Sequence, residues 1–172
     1  TGTFKLLDTL NSSLPDDEII VVNCGGMAVN IFCAGFQNKA GQRYIMSSCG
    51  LGSMGAAVPV AIGAACASGK HVTVIDGDGS IMQNIQELEV IHRLDLPITI
   101  YVMDNEGYAS IRNSEMRAFG RTKTGETIPN IKELASVFGV DIRVIDAGRE
   151  EMLIPRVMFD GRGNLGDMYP YE

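Results

Sequence analysis

The sequence predicts an α/β fold, a parallel β-sheet with helices on both faces. Three observations carry that reading. Short apolar runs alternate with stretches of helical period, the runs are apolar on both faces rather than at every second residue, and each run ends in turn chemistry. Strands that are apolar on both sides need cover on both sides, and parallel strands need long crossovers, which the helical stretches supply.

Taken in order, residues 1–14 form an amphipathic segment. Residues 18–22 (Glu18-Ile-Ile-Val-Val22) lie between Pro15-Asp16-Asp17 and Gly25-Gly26 and read as a buried strand. Residues 55–67 are dominated by Ala, Gly and Val, small side chains that suit a helix pressed closely against a neighbour. Residues 71–76 and 97–103 repeat the strand pattern. Between them Ile81, Ile85, Leu88 and Ile91 or His92 follow the spacing of an amphipathic helix. Asn130 is placed to cap a helix reaching Phe138, and residues 141–145 read as a further strand. The last stretch, 154–172, has glycines and prolines but no helical period. The expected organisation is one domain over 1–153 and an extended C-terminal tail over 154–172.

Composition narrows the function. With 172 residues, 45% hydrophobic and 20% charged, the chain is a globular domain rather than a disordered one. Its longest apolar runs are too short to cross a bilayer, and no leader sequence is visible in residues 1–14, so a cytoplasmic protein without a membrane partner is expected. A net charge of −7 without a basic run sets nucleic acid aside. The four cysteines form no Cys-x-x-Cys pair and read as free thiols of a reducing compartment. His71 and His92 stand alone in the sequence and suggest neither a triad nor a metal cluster.

In open parallel sheets ligands bind at the carboxyl ends of the strands, so the loops after Val22, Asp76 and Met103 matter most. The second reads Asp76-Gly77-Asp78-Gly79-Ser80 and runs directly into a helical period. Glycines let backbone approach a ligand, and free amides at a helix start favour an anion such as phosphate. Asp78 would repel that anion unless a divalent cation lay between them; Mg²⁺ takes one or two carboxylates together with phosphate oxygens and water. The neighbouring loop, Asp104-Asn105-Glu106-Gly107-Tyr108, starts one strand-helix-strand unit later, with Asn105 27 residues beyond Asp78. It offers the Asn105 amide oxygen and the Gly107 carbonyl, which with Asp78 make a set of hard oxygen donors.

These motifs resemble those of thiamine diphosphate enzymes. Gly77-Asp78-Gly79-Ser80, the following Gln86-Glu87-Leu88 and the closing Asn105 are similar to the diphosphate and metal motif of that family. Ser48-Cys49-Gly50-Leu51-Gly52-Ser53-Met54-Gly55, running on to Ala64, resembles the aminopyrimidine-binding stretch of the acetolactate synthase group. Asn105-Glu106-Gly107-Tyr108-Ala109-Ser110-Ile111-Arg112 and the end of the chain, from Pro155-Arg156-Val157 to Asp167-Met168-Tyr169-Pro170, are similar to the same group.

The resemblance implies a thiamine diphosphate-binding fold in which Asp78, Asn105 and the Gly107 carbonyl hold Mg²⁺. Gly77, Gly79 and Ser80 would lie at the diphosphate, and Gly52 and Met54 at the aminopyrimidine, with Met54 bending the cofactor. Gly25, Gly26 and Met27 would meet the diphosphate from the first strand, although the family's usual histidine is missing there. Tyr108 belongs to the same candidate set, and Tyr108 and Arg112 are candidates for lining a substrate pocket. Glu87 reads as a solvated or interdomain position.

No catalytic residue is assigned to this chain. The activating glutamate of the family belongs to a pyrimidine-binding domain, expected elsewhere in the same enzyme or on a partner subunit. The implied activity is that of an acetolactate synthase-like lyase or transferase, decarboxylating and ligating pyruvate or a related 2-oxo acid. It would work as a homo-oligomer such as a dimer, with no turnover from this domain alone. Relatives carry another helix and a final strand where only nine residues separate Ile145 from Pro155, which would leave a sheet edge for a partner to cover. Two other readings stand beside this one: the cofactor-binding subunit of a split 2-oxo acid decarboxylase, and a non-catalytic nucleotide-binding module.

Overall fold

Five parallel strands form one sheet in a computed structural model that describes residues 3–23, 27–48, 50–123, 129–140 and 142–146. The strands are β1 (Ile19–Val22), β2 (Arg43–Met46), β3 (Val72–Gly77), β4 (Ile98–Asp104) and β5 (Ile142–Asp146), in the spatial order β2-β1-β3-β4-β5. The helices are α1 (Thr3–Ser13), α2 (Met27–Gly35), α3 (Ala57–Ser68), α4 (Asp78–Ile81), α5 (Leu88–Arg93), α6 (Ala109–Phe119) and α7 (Ile131–Val137), with a 3-10 segment, Met82–Glu87, between α4 and α5.

The strands divide their side chains between two cores, as the sequence leads one to expect. Ile19 and Val21 of β1, Val72 and Val74 of β3, and Ile100 and Val102 of β4 join Ala57, Val58, Ala61 and Ala65 of α3, Leu88 and Ile91 of α5, and Ile131 and Ala135 of α7. The intervening Ile20, Val22, Ile75 and Met103 meet Leu6, Leu7 and Leu10 of α1, Leu14, and Phe32 of α2. Both faces are therefore covered. Each large side chain sealed here contributes roughly 1.5–3 kcal/mol relative to exposure.

The expected helix from Ile81 to His92 is broken. Asn84 has φ −140° and ψ 39°, so the segment runs as α4, a 3-10 stretch and α5. The cause is the neighbouring loop: Asn84 Nδ2 donates to the Gly55 carbonyl at 2.9 Å. The apolar spacing survives the break, with Ile81, Leu88 and Ile91 buried and His92 exposed. Asn130 caps α7 as its sequence suggests, its Oδ1 accepting from the Lys132 amide at 3.0 Å.

At the amino-terminal rim His71, isolated in sequence, is not isolated in space. Its Nδ1 lies 2.6 Å from Glu18 Oε1 and its Nε2 2.9 Å from Thr99 Oγ1, while Thr73 Oγ1 donates to Glu18 Oε1 at 2.8 Å. Residues 147–172, which include the expected tail, lie outside the described residues. Among the described residues no helix is long and apolar enough to cross a membrane.

Candidate functional site

A cleft of about 390 Å³ opens at the carboxyl ends of β3 and β4. Gly52, Met54, Gly77, Asp78, Gly79, Ser80, Asn105, Gly107 and Tyr108 all line it. Asn30 of α2 and Ala109, Ser110 and Ile111 at the start of α6 complete the lining. Of the other sequence candidates, Gly25 and Gly26 lie outside the described residues, and Met27 opens α2.

The two loops are brought together by strand pairing. β3 and β4 are hydrogen-bonded neighbours, with Gly77 paired to Met103, so Asp78 and Asn105 leave the sheet side by side. Asp78, 1% exposed, then joins the loops directly: its Oδ1 accepts from the Gly79 amide at 2.8 Å and its Oδ2 from the Gly107 amide at 2.7 Å. The second bond requires a sharp turn after Asn105. Glu106 takes φ 62° and Gly107 φ 106°, the left-handed region that costs glycine least. Arg112 steadies this turn, donating to the carbonyls of Asn105 at 2.9 Å and Glu106 at 2.8 Å.

Tyr108 closes the cleft from the same side. Its hydroxyl accepts from Gln83 Nε2 at 2.9 Å, and its ring lies against Gly79 so closely that a Cβ there would stand 2.9 Å from two ring carbons. A side chain at position 79 would therefore force the Tyr108 ring to shift. Arg112, a candidate for the pocket wall, acts behind it on the loop backbone.

Burial pushes the Asp78 carboxyl up to about 6, partly offset by the two amide bonds and reinforced by the nearby Asp104. Asp76, below it on β3, is pushed up to about 7 by burial, partly offset by Ser80, Gly77 and Asn23 and reinforced by Asp78. The rim therefore gathers carboxylates that resist carrying their charge. A cation would relieve that resistance. Among the described residues no three His, Cys, Asp or Glu side chains converge as a metal cage, so an ion here would depend on amide and carbonyl oxygens and on its ligand.

Sequence reasoning missed the groups beneath the cleft. Asn23, 1% exposed at the end of β1, donates from Nδ2 to Ser80 Oγ at 3.0 Å and accepts at Oδ1 from Ser47 Oγ at 2.9 Å. The Gly55 amide also donates to Ser80 Oγ, at 3.1 Å. These contacts span 24 to 57 residues and belong to no local pattern. The one available signal was the position of Asn23 where the first strand stops.

Residues 24–157 match the family model described as "Thiamine pyrophosphate enzyme, C-terminal TPP binding domain". The chain is 34% identical over 130 residues to a probable acetolactate synthase 2, chloroplastic, of Oryza sativa subsp. japonica, which covers 67% of this chain and 20% of the relative. It is 32% identical over 139 residues to the acetolactate synthase isozyme 2 large subunit of Escherichia coli (strain K12), covering 78% of this chain and 25% of the relative. A chloroplastic acetolactate synthase of Arabidopsis thaliana is 31% identical over 147 residues, covering 79% and 21%. The matches thus take in about a fifth to a quarter of each of these relatives.

Proposed function

The chain belongs to the C-terminal thiamine pyrophosphate-binding domain family of thiamine pyrophosphate enzymes, and on that premise we propose that its cleft binds thiamine diphosphate through Mg²⁺ as part of an acetolactate synthase-like enzyme acting on 2-oxo acids. The observation that carries the proposal is the meeting of Asp78 with the Asn105–Gly107 turn, where Gly107 donates to Asp78 Oδ2 and Asn105 lines the same cleft. The donor chemistry fits the ion: one carboxylate, one amide oxygen and one backbone carbonyl are hard ligands that leave positions for phosphate oxygens and water. The cleft volume falls within the range of cofactor sites.

In this reading Asp78, the Asn105 side chain and the Gly107 carbonyl hold Mg²⁺, while Gly77, Gly79 and the backbone of Ser80 lie at the diphosphate. Gly52 and Met54 meet the aminopyrimidine on the far side, and Gly25, Gly26 and Met27 approach the diphosphate from the end of β1. Tyr108 limits the cleft beside Gly79. When bound, the cofactor supplies the electron sink for decarboxylation and carboligation of pyruvate or a related acid. The protein's part is to hold and orient it.

The activating carboxylate is assigned to a pyrimidine-binding domain of the same enzyme or of a partner subunit, within a homo-oligomer. The relatives' much greater length supports that division. Calorimetry with thiamine diphosphate tests the proposal. Binding is expected with Mg²⁺ and lost in chelator, with no pyruvate consumed by this chain alone. Metal-independent binding would overturn the metal assignment, and pyruvate turnover by the chain alone would overturn the partner assignment.

A further inference from the structure

The floor of the cleft contains a hydrogen-bonded tie that none of the assignments above uses. Ser80 is 2% exposed, and its Oγ receives two N–H groups, Nδ2 of Asn23 at 3.0 Å and the backbone amide of Gly55 at 3.1 Å. A serine hydroxyl has two acceptor positions, so both are filled. The other end of the Asn23 amide is held as well, its Oδ1 accepting from the Ser47 hydroxyl at 2.9 Å.

Gly55 is held at its other end as well, its carbonyl accepting from Asn84 Nδ2 at 2.9 Å. Both backbone groups of Gly55 are therefore fastened to the segment that follows Asp78. Gly55 has φ 81°, and a Cβ on it would come within 2.7 Å of Gln83 Cβ. Met54, the next residue back, lines the same cleft as Asp78 and Asn105.

We propose that Asn23 and Ser80 are positioning residues: Asn23 orients the Ser80 hydroxyl, which holds the Gly55 amide and so fixes the span between Met54 and Asp78. A cofactor gripped by its diphosphate at one end and its aminopyrimidine at the other needs that span set before it arrives. The inference rests on the thiamine diphosphate reading and adds to it the division of labour within Ser80, whose side chain serves the loop across the cleft.

Two probes separate this role from direct phosphate binding. Thiamine diphosphate needs both ends of the cleft, whereas inorganic pyrophosphate needs only the metal end. Titrated calorimetrically with Mg²⁺ into the full chain, Ser80→Ala is expected to weaken thiamine diphosphate about tenfold while leaving pyrophosphate within about twofold. Ser80→Thr, which keeps the hydroxyl, should recover most of the loss, and Asn23→Ala should lower the same ratio. Met54→Ala should reproduce the selective loss, and adding Ser80→Ala to it should cost little more. Equal weakening of both probes, or no weakening of either, would overturn the positioning role while leaving the cofactor assignment intact. A wild-type chain that fails to bind thiamine diphosphate would overturn both.

Discussion

At the amino-terminal rim of the sheet, Glu18 is 3% exposed and its carboxyl is met by side chains of the same chain, His71 at 2.6 Å and Thr73 at 2.8 Å. At the carboxyl-terminal rim Asp78, 1% exposed, is steadied by two backbone amides while Asp104 adds like charge beside it. Both are buried acids in one sheet, yet the first is hydrogen-bonded by side chains of the scaffold and the second, held by backbone amides, lines the cleft. Burying a carboxylate is tolerated when partners are supplied. Glu18 lies within the scaffold while Asp78 faces the cleft, and that contrast separates scaffold from site.

The contrast predicts that the two acids fail differently. Asp78→Ala should remove Mg²⁺-dependent binding of thiamine diphosphate by at least about a hundredfold, since even outer-shell partners of metal ligands cost 10–100-fold. Its effect on urea unfolding of the metal-free chain should be small. Calorimetry and denaturation on the same variant check both halves, and a variant that binds normally would break the distinction.

Glu18→Ala should do the reverse. It strips His71 and Thr73 of a shared acceptor and should lower unfolding free energy by about 2–3 kcal/mol. Cofactor binding at saturating folded protein should be unchanged. Urea titration followed by circular dichroism measures the first, and a loss of affinity would show that the rims are coupled.

A smaller effect is expected from Gly79→Ala. The added methyl meets the Tyr108 ring at 2.9 Å and the Gly107 carbonyl at 3.3 Å, so the ring has to move. Overpacking of this kind costs about 1–3 kcal/mol, expected here at the low end because the tyrosine borders the cleft. The cost should appear both in stability and as a few-fold loss of affinity, and Tyr108→Phe in the same background should leave it in place.

A separate test is pH. Asp76 and Asp78 are raised above the ordinary carboxylate value, to about 7 and about 6. Their contribution to folding is therefore full below about pH 4 and lost as pH rises through those values. In chelator, the metal-free chain should lose stability from these groups between about pH 4 and 7, and Asp76→Asn should flatten the slope. Unfolding curves across that range decide it.

Much of this arrangement was legible in the residues. β1, β3, β4 and β5 show as apolar runs, and the cap of α7 is announced by Asn130. The Asp78 and Asn105 loops follow from strand order and a 27-residue interval. What escaped had no local signature. β2, with Arg43 exposed and the rest half-buried, is an edge strand without the continuous apolar run that marks β3. α2 follows paired glycines that read as a turn. The break at Asn84 arises from a loop 29 residues away. Glu18 and His71 meet across 53 residues, and Asn23 and Ser80 across 57. Patterns of period two or 3.6 report which side of an element is buried, but polar contacts across the sheet exist only after the strands have been ordered.

That ordering also bears on how the cleft comes into being. Asp78 and Asn105 directly follow consecutive strands that pair with each other, so a single crossover brings them together and closes a loop of modest length. The Ser80–Asn23 contact instead waits until β1 has inserted between β2 and β3, a non-local step of the kind that slows folding. The Asp78–Gly107 half of the cleft thus rests on short-range chain closure and the Ser80–Asn23 half on long-range closure, so the two halves differ in the entropy that closing them costs.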